Sequence, residues 1–116
     1  MYPYRNAFET KRALEFYRLV ENVKGWAKDK GIDKSEPKDQ YIKVAEEIGE
    51  IGAGIARNDR DRIKDAVGDS LVTLINFCTT EDLTLTECLE MAWDTIKDRK
   101  GKTIDGVFVK DEDLHE

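Results

Sequence analysis

Histidine and cysteine are almost missing from this chain, which carries one histidine, His115, and two cysteines, Cys78 and Cys88, in 116 residues. The cysteines form no CxxC pair and are too few for a disulfide framework, so they read as small buried apolar residues. The lone histidine, next to the end of the sequence, withholds the Glu-x-x-His motifs that a di-iron helix bundle needs. Long apolar runs are absent too. Mean hydropathy is -0.62, and no stretch approaches the roughly 20 residues of a membrane span. The opening "MYPYRNAFETKR" lacks the apolar core of a signal peptide, so a cytoplasmic protein with no membrane partner is expected. Basic excess is also lacking: 19 Lys and Arg face 25 Asp and Glu, a net charge of -6. That argues against duplex nucleic acid, whose binding relies on basic faces. A small anionic ligand stays compatible, because a divalent cation inverts the sign of a local acidic site.

What is present is a heavily charged chain, 40% hydrophobic and 38% charged, of a length that suits a single domain over 1–116. Ala13, Phe16, Tyr17, Val20, Val23 and Ala27 recur at steps of three and four, one face of a helix over about 7–30. Asn6 is its expected N-cap and Gly31 its stop. After a loop, Pro37 sits near the start of a second helix over about 38–57, and "RNDRD" separates it from a third over about 60–79. Thr84 and Glu87 have capping-box spacing and open a fourth helix to about Arg99, with Gly101 as its stop. Asp105-Gly106 is a turn signal between short apolar pieces, giving a hairpin or an extended arm. Short connections favour antiparallel neighbours. The expected fold is all-α: an antiparallel bundle of about four helices with a short C-terminal tail.

The second helix carries "AEEIGEIGAGI", acids and glycines inside an apolar pattern. Residues three and four apart share a helical face, so Glu50 stands beside Glu46 and Glu47. On the third helix Asp69 stands beside Asp65. The two segments align: Glu46 with Asp65, Gly49 with Gly68, Glu50 with Asp69. If the helices are antiparallel neighbours, these carboxylates face each other across a groove, where they repel unless a cation sits among them. Oxygen ligands suit Mg²⁺ or Mn²⁺. The glycines then allow close approach of the backbones or of a ligand, at a helix-propensity cost of about 1 kcal/mol each. The alternative is that these are solvated acidic faces and the glycines mark tight packing. A cation held by carboxylates binds phosphates and activates water, so the chemistry indicated is hydrolysis of a phosphate or pyrophosphate bond.

At these residues the chain resembles the MazG-like nucleotide pyrophosphohydrolases of the all-α NTP pyrophosphatase superfamily, in particular their small stand-alone and phage-type members. The family pattern is E-x-x-E on one helix and E-x-x-D on the next. The first is present as Glu47-Ile-Gly-Glu50, preceded by Glu46. In the second, Asp69 matches the final acid, Ala66 stands where the family has glutamate, and Asp65 lies one residue earlier. Asn76, seven residues beyond Asp69, and the ending "AWDTIKDRKGKTIDGVFVK" extend the likeness over roughly 35–110. The resemblance implies Mg²⁺-dependent hydrolysis of a nucleoside triphosphate to the monophosphate and pyrophosphate. It implies Glu47, Glu50, Asp69 and Asp65 as metal ligands and Asn76 as a substrate contact; Glu46 and Glu47 are the candidate catalytic groups, Glu46 as the base that orients the water. It also implies a homodimer or a dimer of dimers whose helices pack across subunits. A phosphoribosyl-ATP pyrophosphohydrolase-like enzyme and a non-catalytic nucleotide- or protein-binding dimer are the alternatives.

Lys97, Arg99, Lys100 and Lys102 cluster after the fourth helix. They are candidates for triphosphate contacts, Lys97, Arg99 and Lys102 above all, or they complement the helix dipole. Lys43 is expected to pair with Glu46 or Glu47. Phe16, Tyr17, Trp26 and Trp93 are core residues or base-stacking platforms, with Trp93 the preferred stacker because it precedes the basic cluster.

Overall fold

In the computed structural model, residues 6–114 are described; His115 lies outside them. Four α-helices and one two-stranded hairpin account for the regular structure: α1 (Ala7–Asp29), α2 (Pro37–Ala56), α3 (Arg60–Thr80), α4 (Leu85–Ile96), β1 (Gly101–Ile104) and β2 (Val107–Lys110). Single 3₁₀ turns follow α1 and β2. The all-α expectation holds. The chain resolves into two compact units, one running to Leu85 and one from Thr86 onward.

The first unit is built by its helix ends. The Asn6 side chain accepts from the Glu9 amide at 2.9 Å, and Glu9 accepts from the Asn6 amide at 3.2 Å, a complete capping box. Gly31, at φ +76°, takes the left-handed position just past α1. Pro37 opens α2, where its missing N–H goes unused. The α2–α3 turn, Arg57 to Asp59, does two jobs. Asn58 adopts φ +53°, and the Asp59 amide reaches back to the Gly54 carbonyl at 3.0 Å, closing α2 in a Schellman motif with asparagine in the usual glycine place. The Asp59 side chain then accepts from the Arg62 amide at 3.1 Å and caps α3. α3 closes the same way, with Asp82 at φ +58° and the Leu83 amide on the Cys78 carbonyl at 2.8 Å.

This tight reversal sets α2 and α3 antiparallel. They pack more extensively than any other pair, and α1 lies against α3. Closest approach comes near the turn: a Cβ on Gly54 would sit 2.8 Å from Ile63 Cγ1 and 3.1 Å from the Ile63 amide nitrogen. Of the two roles expected of Gly49 and Gly68, close backbone approach or access for a ligand, the first is not met, since a Cβ on either meets nothing within 4 Å. Gly54 is the contact glycine, and Gly49 and Gly68 face open space beside the acids.

The buried apolar residues are small or few: Ala27, Ala66, Ile75 and Cys78. Of the α1 face read from the sequence, Ala27 is buried, but Tyr17 is 64% exposed and Phe16 is exposed as well. Phe8 at 70% and Ile55 at 62% are further apolar side chains left in the open on α1 and α2. Cys78 is buried and Cys88 half-buried, both as free thiols.

In the second unit, α4 ends at Ile96 rather than near Arg99. Gly101 therefore does not stop the helix; it begins β1. A Cβ there would collide with the Val109 carbonyl and the Phe108 ring. β1 and β2 pair antiparallel, with Lys102 opposite Val109 and Ile104 opposite Val107. Asp105 and Gly106, at φ +50° and +82°, form the two-residue hairpin turn that requires positive φ at both positions. The hairpin reading of the tail holds. No helix of the described residues is long and apolar enough to cross a membrane.

Candidate functional site

Because α2 and α3 run antiparallel from a tight turn, side chains pair in opposite order along them. Nearest the turn, Arg62 on α3 reaches Glu50 on α2, Nη2 to Oε2 at 2.8 Å. One turn further along, Glu47 comes within electrostatic reach of Asp69. Beyond that pair the helices open into a cleft of about 440 Å³ lined by Trp26 of α1, Ile32, Gln40, Lys43 and Glu47 of α2, and Asp69, Val72, Thr73 and Asn76 of α3. Asp69 and Val72 also line a second, shallower depression with Asp61, Lys64, Asp65 and Gly68. Asp69 thus forms the ridge between the two concavities.

The charges are uneven. Glu47 is half-buried and holds its proton more tightly than an ordinary glutamate. Partial burial is the largest cause, followed by the negative charges of Asp69, Glu46 and Glu50; Lys43 pulls the other way. Two of the acids have cationic partners. Lys43 Nζ lies 3.3 Å from Glu46 Oε2, as the sequence suggested, and Arg62 holds Glu50. The Glu50 hydrogen bond and charge in turn hold Arg62 more firmly protonated.

The sequence-named residues therefore divide. Glu47, Asp69 and Asn76 come together on one cleft, with Glu46 and Glu50 on the Glu47 side. Asp65 is exposed in the shallower depression and is not among the charges acting on Glu47. Ala66, at the place of the family glutamate, is buried at the helix packing. Trp93, Lys97, Arg99 and Lys102 belong to the second unit. There Lys97 pairs with Asp94 at 3.2 Å, and Arg99 and Lys100 line a concavity with Lys110 and Asp111.

Four site residues were missed or passed over by sequence reasoning. Arg62 was unmarked, although it lies three and seven residues before Asp65 and Asp69 and so shares their face. Gln40 and Thr73 join the cleft only through the antiparallel register. Trp26, read chiefly as core, is 48% exposed on the cleft.

No protein-family model matches the chain, and no solved structure does. Over 62 residues the chain is 39% identical to an uncharacterised 18.2 kDa protein from the rep–hol intergenic region of Haemophilus phage HP1 (strain HP1c1). That match spans 53% of this chain and 38% of the phage protein.

Among the described residues, no three His, Cys, Asp or Glu side chains are grouped so as to hold a metal ion by themselves. The donor chemistry nonetheless suits Mg²⁺. That ion is commonly held by one or two carboxylates, with waters and substrate phosphates completing its shell. Glu47 and Asp69 supply such a pair, and the neighbouring charges of Asp69, Glu46 and Glu50, which add to burial in tightening the Glu47 proton, are ones a cation would offset.

Proposed function

We propose that this chain hydrolyses a nucleoside triphosphate to the monophosphate and pyrophosphate with the help of a divalent cation. The observation that carries this reading is the pairing of half-buried Glu47 with Asp69 at the edge of a cleft that also holds a lysine, an asparagine and a tryptophan. The resemblance to MazG-like pyrophosphohydrolases supports it, because its most specific residues, Glu47, Glu50, Asp69 and Asn76, lie on or beside that cleft.

Glu47 and Asp69 would hold the cation, Mg²⁺ or Mn²⁺, which when bound neutralises phosphate charge and makes a coordinated water more acidic. The chain's own groups do the rest. Glu47, through the carboxylate oxygen it leaves free, would be placed to take a proton from the attacking water. The water oxygen bonds to the α-phosphorus, the bond to the bridging oxygen breaks, and pyrophosphate leaves with that electron pair. Lys43, beside the cleft, offers positive charge to the phosphates once it exchanges Glu46 for them. Glu46 then supports Glu47 rather than serving as the base.

Self-association belongs to the same reading. Phe8, Tyr17, Ile42 and Ile55 supply apolar surface for a second copy.

A non-catalytic nucleotide-binding dimer is the second reading. The Arg62–Glu50 ion pair and Ala66 favour it, since both reduce the carboxylates left for a cation. The deciding experiment incubates the protein with each common NTP and dNTP plus Mg²⁺ and assays pyrophosphate against orthophosphate, with Glu47→Gln and Asp69→Asn in parallel. Pyrophosphate release lost in both variants is the expected result. Tight binding of a triphosphate with no release from any of them would sink the hydrolase and leave the binding module.

A further inference from the structure

α2 is apolar on two sides. On the side that packs against α3, Gly54 meets Ile63. The other side carries Tyr41, Ala45, Ile48, Gly52 and Ile55, at alternating steps of four and three. That is heptad spacing, and it runs along one face of the helix for about 21 Å. All five residues are exposed, Tyr41 at 61%, Ile48 at 49% and Ile55 at 62%. Among the described residues α3 is the element packed extensively on α2, and it leaves this seam uncovered. A continuous row of large apolar side chains at helical spacing is a packing face rather than a solvated one.

The small residues of the seam show what shape would cover it. Gly52 lies inside the helix, where glycine is less favourable than alanine by about 1 kcal/mol, and a Cβ on it would meet nothing within 4 Å. With Ala45, one heptad earlier, it makes two low steps at which another helix axis can come close. The order of sizes is large, small, large, small, large, and it reads the same from either end. Such a row fits a copy of itself running the opposite way. Reversal about Ile48 sets Tyr41 of one copy against Ile55 of the other, and Ala45 against Gly52. The charges at the ends agree. Lys38, exposed in the first turn of α2, is carried toward exposed Asp59, just past the end of the other α2. A two-fold axis makes each of these contacts twice. Glu46, Glu47 and Glu50 lie around the helix from the seam, so covering it leaves the cleft open.

We infer that the Tyr41–Ile48–Ile55 face of α2 binds the same face of a second copy of this chain, antiparallel, across a two-fold axis at Ile48. This gives the self-association in the proposed function a place and a direction, and it rests on none of that reading's chemistry.

The test uses the full chain. Light scattering should give a parent mass of at least twice 13.3 kDa. Ile48→Arg, at an exposed position, should halve that mass with the helix content by circular dichroism unchanged. A monomeric parent, or a mass that Ile48→Arg leaves as it was, overturns the inference. Cysteine pairing then reads the register, with Cys88→Ser in every variant because Cys78 is already buried. Bridged cysteines need Cα atoms within about 7 Å. Under mild oxidation Ile48→Cys should therefore link to its own copy. Tyr41→Cys and Ile55→Cys should not link alone, but should link to each other once mixed and left to exchange. Self-linking of Tyr41→Cys and of Ile55→Cys would reveal a parallel pair, and no linking at any of the three positions would put the interface elsewhere; either result overturns the inference. If Ile48→Arg does not fold, the cysteine variants decide. The expected links in a protein that hydrolyses no triphosphate would leave this inference standing and remove the proposed activity, whereas hydrolysis by a monomer would do the reverse.

Discussion

Three glycine-to-alanine substitutions separate the packing of α2 and α3 from the demands of the site between them. Alanine is favoured over glycine inside a helix by about 1 kcal/mol. At Gly49 and Gly68 a new Cβ meets nothing within 4 Å, so each substitution should stabilise the folded chain by about that amount, raising the melting temperature about 4 °C. At Gly54 the new Cβ lies 2.8 Å from Ile63 Cγ1 and 3.1 Å from the Ile63 amide nitrogen. The side-chain atom can yield; the backbone nitrogen moves only if the helices part. Overpacking costs about 1–3 kcal/mol, and less the propensity gain this leaves a net loss of about 1 kcal/mol. Urea unfolding at one fixed protomer concentration, with m-values compared, measures all three. Gly49 and Gly68 each precede an acid of the groove, so activity should move against stability: Gly49→Ala and Gly68→Ala give a more stable protein with a lower kcat/KM. A less stable Gly49→Ala would refute the reasoning. If its loss also grew on dilution, the open space would be shown to be filled by a second copy.

Arg62→Gln releases Glu50. The pair is partly exposed, so its coupling in a double-mutant cycle with Glu50→Gln should be below about 1 kcal/mol, while the Mg²⁺ concentration for half-maximal thermal stabilisation should fall; an unchanged Mg²⁺ response would show that Glu50 has no part in cation binding. Glu47 holds its proton more tightly in the folded chain than at the reference value of 4.5, so its contribution to stability declines as pH rises from there through its raised folded value and stays lowered above it. Melting temperatures of the parent minus those of Glu47→Gln, measured against pH without metal, should decline across that window, and a flat difference would remove the like-charge strain. Light scattering should give a mass of at least twice 13.3 kDa, and Tyr17→Glu together with Ile55→Glu should lower it; a monomeric parent would leave the exposed apolar faces without a partner.

Much of this molecule was legible in the sequence, for physical reasons. Helix ends are local, so Asn6, Gly31 and Pro37 could be placed from residue type alone, and Asp105-Gly106 fixes a hairpin because both positions tolerate positive φ. Asp59 was legible in principle: an Asn-Asp pair between two apolar periods is a left-handed closure followed by an N-cap. The α1 core face was misjudged because periodicity reports which face is apolar, not whether this chain or another covers it; Phe16 and Tyr17 are apolar on schedule and still exposed. The acids were visible as pairs on single helices. Which of them meet depends on the rotation of α3 about its axis. That rotation sends Asp69 toward Glu47 and Asp65 toward the neighbouring depression, a long-range consequence no local pattern carries.

The acid groove gains its sense from how its charges are left. Three carboxylates, Asp69, Glu46 and Glu50, act on a fourth, Glu47, and the chain answers with two cations at the edges, Lys43 on Glu46 and Arg62 on Glu50. A purely structural surface would place a cation opposite Glu47 or Asp69 as well, because these two repel and Glu47 is the more desolvated. Among the described residues the central pair has no ion-pair partner, and glycines stand beside it where alanine would make better helices. Both choices are unfavourable to a folded chain alone. The charge becomes favourable if a cation and a polyphosphate enter between α2 and α3, because the cation removes the repulsion, and the glycines keep the helix surfaces beside the acids open. Adding Mg²⁺ together with a non-hydrolysable triphosphate should therefore stabilise the protein more than the two do separately. Strictly additive effects would mean that they bind apart, and that the groove is acidic for another reason.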